Sequence, residues 1–448
     1  MQARQVGPLD AAYLALDGPR TVGHVCLILP LDGPITLAQL REQVGARVGR
    51  LPELRQKLHQ GANALDRPWW IDDPSFDVDQ HVDEFHVGRR ELTEVVSELA
   101  METLPRSRPL WQAHLIREGR RAYVMTKVHH SIADGSRYRD ILHALFGTAE
   151  DDTPGWSPHR PPGAFDLATR GIVGASRWAA SSVYAAARAI ADNPRSLGGV
   201  LNSIGVHAAP PTPFNRSVGP RRVWAFRTWG LAASKPTRAH FGVTVNDVVH
   251  AVAAAGLRQW LIEQDALPSS PLVALVPMSV RHLTPDPSGA NRLSLGLCRI
   301  PTDIEDPVER IFSAREDMAE AKARPVLGEG ALGVLTRVLG PTLEPASWVA
   351  STVKLLDTVR LPFNTIISNV PMGQDLFVVA GRRVTAVYPF APLGDGMGLS
   401  ITIQGYQGRL DVGISACADL VPDVEHLMDL MTAEYAQVCT LANHTNED

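Results

Sequence analysis

Two adjacent histidines followed by an Asp-Gly pair are the residues of this chain whose types and spacing best suit chemistry. His129 and His130 end a run of alternating residues that predicts a strand, and Asp134 and Gly135 come just before a helical pattern. Imidazole has the unperturbed pKa nearest neutrality, so a positioned histidine can take a proton from a hydroxyl and return it to a leaving group. The pattern therefore favours His130 as a general base at a strand-to-helix junction.

The same segment has two other interpretations. Histidine and aspartate also bind metals, but the chain lacks the His-Glu-x-x-His and Cys-x-x-Cys spacings of common metal sites, so we expect no metal. The segment could also be a purely structural turn. We expect the Asp134 carboxylate to hold the ring or the loop in place rather than to react, and Ser136 to cap the helix that follows.

Length and composition favour a large two-domain protein that does not bind nucleic acid. The chain has 448 residues, 45% of them hydrophobic, and single cores usually stop growing below this size. Its net charge of -5 argues against a nucleic-acid partner. Four widely spaced cysteines indicate reduced thiols, and neither a secretory signal nor an apolar run of about 20 residues is found. We therefore expect a cytoplasmic protein, soluble or attached peripherally to a membrane.

One segment departs from the acidic average. No acidic residue occurs between Asp192 and Asp247, although seven basic residues fall there. Such a stretch could receive the phosphates of a cofactor or an anionic membrane surface. It could equally be a solvated, partly irregular connection. The basic residues are Arg195, Arg216, Arg221, Arg222, Arg227, Lys235 and Arg238.

Hydrophobic periodicity indicates an α/β arrangement in two halves. In the first half, a helix over 92–100, a strand over 110–117, a turn and a second strand lead into the histidine segment. Proline-rich stretches and an alanine-rich helix over 171–191 then connect the halves. We predict an N-terminal domain at 1–165, a helical and proline-rich linker at 166–213, and a C-terminal domain at 214–448.

The second half is predicted to contain a β-rich region between two helices. The first helix covers 246–261 and starts near Thr244, and an amphipathic helix over 423–441 closes the chain. Between them, Gly and Asp turns separate short runs that we predict to be antiparallel strands. These runs cover 364–370, 377–379, 383–388, 399–404 and 409–415.

His129 to Gly135 matches the His-His-x-x-x-Asp-Gly signature of coenzyme A-dependent acyltransferases. Further blocks occur in the order typical of one branch of these enzymes. Over nearly its whole length, the chain thus resembles the bacterial wax ester synthase/diacylglycerol acyltransferase family. The blocks are Pro8-Leu9-Asp10, Arg108-Pro109-Leu110-Trp111, Val245-Asn246-Asp247-Val248-Val249, Pro277-Met278-Ser279-Val280-Arg281 and Ser368-Asn369-Val370-Pro371.

This resemblance implies an α/β (α+β) fold of two chloramphenicol acetyltransferase-like sandwich domains, with mixed sheets and helices, a helical linker, and a tunnel between the domains. It implies that His130 is the base and that His129, Asp134 and Gly135 complete the catalytic segment, with Gly135 permitting the turn. The residues it implies for substrate binding are Asn246, Asp247, Arg281, Ser368 and Asn369. The residues it implies for structure are Pro109, Leu110 and Trp111.

The resemblance also implies the reaction. The donor would be acyl-CoA, a co-substrate, and no cofactor would be bound permanently. The acceptor would be diacylglycerol, giving triacylglycerol, or a long-chain alcohol, giving a wax ester. Two alternatives stay open. One is an acyltransferase of the same fold that uses a specialised lipid acceptor or a carrier-bound donor, and the other is a non-catalytic lipid-binding or lipid-droplet protein.

One residue departs from the family pattern. The family usually has glycine after Ser-Asn-Val-Pro, whereas Met372 follows Pro371 here and Gly373 comes one residue later. Because glycine readily adopts positive φ, the shift changes which residue can take that conformation. We expect the change to affect the acceptor side of the tunnel.

Overall fold

Two mixed β-sheets, each covered by helices, form the body of the computed structural model. The structure describes residues 3–15, 17–59, 68–148, 157–159, 163, 169, 209–279, 293–323 and 361–444. The first sheet has five strands and the second has six. This arrangement confirms the predicted α/β class.

The first half supplies most of the five-stranded sheet. Its strands are β1 (Arg4–Gln5), β2 (His24–Pro30), β3 (Gln56–His59), β4 (Trp69–Asp72), β5 (Val82–His86), β6 (Trp111–Glu118) and β7 (Arg121–His129). Its helices are α1 (Pro8–Ala15), α2 (Leu37–Arg47), α3 (Leu92–Met101) and α4 (Gly135–Phe146). Strands β2, β7 and β6 pair antiparallel, and β5 runs parallel to β6. Strands β1, β4 and β3 form a separate small sheet.

The second half forms the six-stranded sheet, in the order β10-β9-β11-β15-β16-β8. The strands of this half are β8 (Arg222–Gly230), β9 (Leu272–Ser279), β10 (Leu293–Ile300), β11 (Thr365–Gly373), β12 (Val378–Val379), β13 (Arg382–Arg383), β14 (Tyr388–Phe390), β15 (Leu399–Tyr406) and β16 (Arg409–Cys417). Its helices are α5 (Lys235–Phe241), α6 (Val245–Glu263), α7 (Pro307–Ala323) and α8 (Val424–His444). Strand β11 runs parallel to both of its neighbours, β9 and β15.

A segment of the second half, residues 374–398, crosses to the first sheet and returns. Its strand β14 pairs antiparallel with β2 and so completes the five-stranded sheet. The buried Asp411 carboxylate on β16 holds this crossing segment, because it accepts a hydrogen bond from the Val387 N–H at 2.7 Å. The same carboxylate accepts one from the Thr228 hydroxyl at 2.7 Å. The two halves are therefore joined by main-chain pairing as well as by side-chain packing.

Burial of apolar side chains fixes the helices on the sheets. Helices α2 and α4 pack on one face of the first sheet, where Phe377 and Val379 of the crossing segment join the core. Helix α3 packs on the opposite face, together with Trp224 of β8. Helices α6, α7 and α8 share the core of the second sheet.

Two polar side chains from the first sheet hold the C-terminal end of α3. The Lys127 ammonium donates to the Leu99 carbonyl at 2.8 Å, and the His24 ring nitrogen Nε2 lies 2.5 Å from the Ala100 carbonyl oxygen. The last carbonyls of a helix lack partners within the helix, and a nearby positive charge stabilises them. His24 is paired in register with His129 across strands β2 and β7. This contact therefore anchors the strands that carry the histidine segment.

Most predicted elements are confirmed, but two predictions about the β-rich region are wrong. The run 383–388 is not one strand, since it contains the end of β13 and the start of β14 with a connection between them. The strands are not all antiparallel, because β11 pairs parallel with β15. A long connection such as 374–398 permits parallel pairing, whereas the short turns assumed from the sequence would not.

The predicted linker lies largely outside the described residues, and the helix predicted over 171–191 lies wholly outside them. Within the proline-rich stretch, His159 is anchored to the first half: its backbone N–H lies 3.1 Å, and its ring Nδ1 2.7 Å, from the Asp72 carboxylate. The domain boundaries at 1–165, 166–213 and 214–448 stay predictions.

The point where the crossing segment meets β16 gives a test of this architecture. A Cβ at Gly413 would overlap the Pro389 carbonyl oxygen, whereas one at Gly405 on β15 would make an ordinary 3.8 Å contact with Pro371. We expect Gly413→Ala to lower the free energy of unfolding by about 1–3 kcal/mol through overpacking. We expect Gly405→Ala to change it by less than about 0.5 kcal/mol. Urea unfolding measures both, and equal stability of the two variants would contradict the close approach.

Candidate active site

The histidine segment lies where strand β7 turns into helix α4. Backbone hydrogen bonds hold both histidines: the His129 N–H donates to the Leu110 carbonyl at 3.0 Å, and the His130 N–H donates to the Gly23 carbonyl at 2.8 Å. A further bond from the Ile132 N–H to the His129 carbonyl, at 3.0 Å, closes the turn. Backbone hydrogen bonds to the residues beside strands β6 and β2 therefore fix the positions of both histidines.

Asp134 is the N-cap of α4, and its carboxylate accepts from the Arg137 N–H at 2.8 Å and from the Ser136 hydroxyl at 2.7 Å. The prediction that Ser136 caps the helix is therefore wrong. The helix starts one residue after Asp134, and a carboxylate at that place satisfies the free N–H groups and suits the positive end of the helix dipole. Asp134 is fully buried and fixes the loop that carries His130.

The resemblance implied that Gly135 permits the turn. Gly135 is the first residue of α4, and its φ is not positive. A Cβ there would lie 3.0 Å from the Val370 side chain of strand β11. The glycine therefore allows close packing of the two halves. It brings the histidine segment against the Ser368-Asn369-Val370-Pro371 block.

His129 is completely buried and has a defined tautomer. Its Nδ1 accepts from the Ser131 N–H at 3.1 Å and lies 2.7 Å from the Ser131 hydroxyl. The proton is therefore on Nε2, which faces the Asp17 carboxylate at 3.3 Å. A Cβ at Gly23 would lie 2.6 Å from that same Nε2, so glycine is needed beside the ring. His129 thus acts on the shape of the loop and is not placed to react.

Asp17 is a residue of the site that the sequence patterns did not indicate. Burial raises the pKa of its carboxyl, but the contact with His129, the Gly23 N–H at 2.7 Å and the Arg106 guanidinium outweigh that effect and lower the pKa overall. Asp17 is therefore ionised at neutral pH. Asp17 lies more than 100 residues before the histidines in the chain. A single sequence therefore gives no indication that these residues are in contact.

His130 is partly buried, and its ring stacks on that of Tyr13 of helix α1, with centroids 4.4 Å apart and planes within 11°. Burial lowers the pKa of His130 from 6.5 to about 4, although the nearby Asp134 carboxylate acts in the opposite direction. The imidazole is therefore neutral at pH 7 and can accept a proton. This is the protonation state that a general base requires.

Two of the substrate residues implied by the resemblance meet across the second half. The Asn369 Nδ2 on β11 donates to the Asn246 Oδ1 at the start of α6, at 2.5 Å. Asp247 instead forms a capping box with Thr244: its carboxylate accepts from the Thr244 N–H at 2.7 Å. Its carboxylate is therefore turned to the helix end, and we assign it a structural role.

The Ser368 block lies on β11, beside the histidine segment. Ser368 is paired in register with Thr402 of β15, and the ladder is interrupted by a bulge between Pro371 and Gly373. Gly373 has a φ of +93°, and Met372 is buried in the first core. The shifted glycine thus takes the positive φ, and methionine fills the core. Arg281 lies outside the described residues.

The Pro109, Leu110 and Trp111 block packs behind the histidine segment, as a structural role requires. The Leu110 carbonyl accepts from the His129 N–H, and the Trp111 indole N–H donates to the Leu54 carbonyl at 2.7 Å. The Trp111 ring also stacks on His81, at 4.5 Å and 14°. The block therefore supports the end of β7.

Three arginines in the described part of the acid-free segment bind other groups of the protein. Arg221 pairs with Asp419 at 2.8 Å, and Arg227 lies 2.9 Å from the Asp429 carboxylate. The buried Arg222 donates to backbone carbonyls, at 2.6 Å for Gly219. These three arginines are consequently engaged within the protein.

No group of three or more His, Cys, Asp or Glu side chains within the described ranges is placed to hold a metal ion. The four cysteines are free thiols. None of the helices in the part of the chain that the structure describes is both long enough and apolar enough to span a bilayer.

The chain matches two family models in succession. The model of the wax ester synthase/diacylglycerol acyltransferase catalytic domain matches residues 6–249, and that of the WS/DGAT C-terminal domain matches residues 289–438. A relative from Mycobacterium tuberculosis (strain CDC 1551 / Oshkosh), assigned as a diacylglycerol O-acyltransferase, is 33% identical over 94% of this chain and 87% of the relative.

Solved structures share the fold. The wax ester synthase/diacylglycerol acyltransferase from Marinobacter aquaeolei VT8 is 25% identical, with a TM-score of 0.69 over 98% of this chain and 100% of that one. The trichothecene 15-O-acetyltransferase from Fusarium sporotrichioides has the same fold at 11% identity, with a TM-score of 0.62 over 98% of this chain and 95% of that one. The chain therefore belongs to the wax ester synthase/diacylglycerol acyltransferase family, and it is an acyltransferase.

Proposed function

We propose that this enzyme transfers the acyl group of acyl-CoA to the free hydroxyl of diacylglycerol, making triacylglycerol, with His130 as general base. Long-chain alcohols would be a second class of acceptor and would give wax esters. The observation that carries the proposal is the position of His130 at the turn between β7 and α4, where the neighbouring Gly135 packs against Val370 of strand β11. The lowered pKa of His130 agrees with a neutral imidazole. The relatives assigned as diacylglycerol O-acyltransferases support the choice of acceptor.

In this mechanism His130 takes the proton of the acceptor hydroxyl as the oxygen attacks the thioester carbonyl. A C–O bond forms, and the carbonyl oxygen becomes an oxyanion. The C–S bond then breaks, and the protonated His130 returns the proton to the departing thiolate, which releases free coenzyme A. Because the acyl group passes directly between the two substrates, no acyl-enzyme accumulates.

Asn246 is our candidate donor to the oxyanion. Its Oδ1 is occupied as an acceptor from Asn369 at 2.5 Å. Its Nδ2 group is then the part of the amide that can donate to a developing negative charge. One preorganised donor of this kind is worth about 10²–10³-fold in kcat in other acyl-transfer enzymes.

The remaining residues of the histidine segment position the base. Asp134 fixes the start of α4, and its charge favours the imidazolium that forms during the reaction. His129, held between Ser131 and Asp17, fixes the loop on the other side of His130. Diacylglycerol is poorly soluble in water, so we infer that the enzyme meets it peripherally at a membrane or lipid-droplet surface.

Replacement of His130 tests the proposed function directly. We expect His130→Ala to lose about 10²–10⁴-fold in turnover, since a positioned base contributes that much. The measurement is release of free coenzyme A from palmitoyl-CoA, with diacylglycerol or hexadecanol as the acceptor. The product, triacylglycerol or wax ester, is detected in the same reactions. The matched control is His86→Ala, a histidine whose side chain is 72% exposed and which lies away from the site.

Retention of near wild-type turnover by folded His130→Ala would exclude general-base catalysis. Lipid binding without coenzyme A release by the unaltered enzyme would favour the non-catalytic alternative. Turnover only with carrier-bound donors would favour the alternative donor.

The pKa of His130 predicts the pH dependence. The base must be neutral, so activity is present above its pKa and is lost as the pH falls through that value. Because burial lowers this pKa to about 4, we expect kcat/KM to stay level from pH 7 to about pH 5 and to fall near pH 4. A loss of activity centred near the ordinary histidine value of about 6.5 would contradict the buried, neutral base.

Variants of Asp134 distinguish its role as a helix cap from the effect of its charge on His130. Asp134→Ala should lower the free energy of unfolding by about 0.5–2 kcal/mol, the usual cost of a lost N-cap. Asp134→Asn keeps a capping oxygen, so its stability should recover. We expect its kcat to stay below that of the unaltered enzyme, because the charge that favours the imidazolium is gone. Thermal unfolding and kcat measured side by side would show this difference, and full recovery of kcat would assign Asp134 to capping alone.

A further inference from the structure

The ring of Tyr13 covers one face of the proposed base. Its centroid lies 4.4 Å from that of the His130 imidazole, and the two planes are nearly parallel, at 11°. Tyr13 belongs to α1, which is fixed to the body of the protein: Leu14 is buried in the first core, and the Arg106 guanidinium donates to the Leu14 carbonyl. The stack is therefore formed by a helix that is itself held in place.

The residues that follow Tyr13 contact both histidines of the segment. The Gly23 carbonyl accepts from the His130 N–H at 2.8 Å. Asp17 faces His129 at 3.3 Å and also accepts from the Gly23 N–H. The described residues between Tyr13 and Gly23 thus contact both histidines, and the ring stack of Tyr13 lies on the imidazole of the base itself.

We propose that Tyr13 is a positioning residue of the active site, whose ring holds the His130 imidazole in one plane and keeps water from that face. This inference rests on the general-base role proposed above. A misplacement of a reacting group by about 1 Å can cost roughly 10²-fold in rate. The orientation of the His130 imidazole therefore affects kcat. The negative face of an aromatic ring also favours the imidazolium that forms in the transition state.

Other charged groups near the base are accounted for. Asp134 favours the charged imidazole and His129 disfavours it. Burial, with the Asp10 and Asp134 carboxylates, raises the pKa of the Tyr13 phenol, so Tyr13 is neutral and acts through its ring. Asp17 faces His129. The effect of Tyr13 on the imidazole is therefore steric and aromatic.

Three variants test the inference. Tyr13→Phe keeps the ring and should retain kcat within about threefold, with an unchanged pH profile. Tyr13→Ala should lower kcat by roughly 10–100-fold. It should also move the acidic limb of kcat/KM upward, from near pH 4 towards the ordinary histidine value of about 6.5, because the hydration of the imidazole outweighs the lost contact with the aromatic face. Tyr435→Ala is the matched control, since Tyr435 stacks on Trp229 at 4.7 Å and 12° in the second half. It should lower the Tm without moving the acidic limb.

A double variant distinguishes positioning from a general structural effect. In the His130→Ala background, Tyr13→Ala should cause no further loss of the residual turnover. If Tyr13→Ala does not fold, Tyr13→Leu keeps apolar bulk without the aromatic face and should still lose kcat. Wild-type kcat and pH profile in these variants, or an equal loss in both backgrounds, would overturn the inference.

The two proposals fail in different ways. If the His130→Ala variant is active, both the general-base role of His130 and the inference about Tyr13 are wrong. If His130→Ala is inactive and Tyr13→Ala is fully active, only the inference about Tyr13 is wrong.

Discussion

The hydrogen bond from the Ser131 N–H to the His129 ring holds together the turn on which the proposed chemistry depends. It fixes the proton of His129 on Nε2, where the ionised Asp17 carboxylate faces it, and it closes the loop that presents His130. Both partners are buried or nearly so, and a buried polar group without a partner is costly. The loop therefore has few alternative conformations, and His130 meets its substrates in a preset position.

Close approach of the backbone to neighbouring atoms is the second constraint, and glycine makes it possible at three places. Gly23 lies against the His129 ring, Gly135 against Val370, and Gly413 against the Pro389 carbonyl. The first contact shapes the histidine pair, the second joins it to the second half, and the third seats the crossing segment. A Cβ at each of these glycines would lie 3.0 Å or less from the neighbouring atoms.

The environment of His130 reconciles two needs of a general base. Burial lowers its pKa and keeps it neutral, whereas Asp134 favours the charged form that the reaction creates. A base that was only buried would accept a proton poorly, and a base that was only beside a carboxylate would be protonated more readily at neutral pH. Asp134 serves both the helix and the base, because the N-cap position lies four residues after the histidine.

Local patterns in the sequence determined the strand, the turn and the helix around His130, the helix that starts at Val245, and most of the strands near the C-terminus. These features depend on side-chain periodicity and on capping residues a few positions apart, which a single chain displays directly. The ordered blocks also determined the family. The parallel pairing of β11, the crossing of 374–398 to the first sheet and the contacts of Tyr13 and Asp17 were decided only by tertiary structure. They join residues from roughly 20 to several hundred positions apart, and no local preference encodes which distant partner a buried ring or carboxylate will meet.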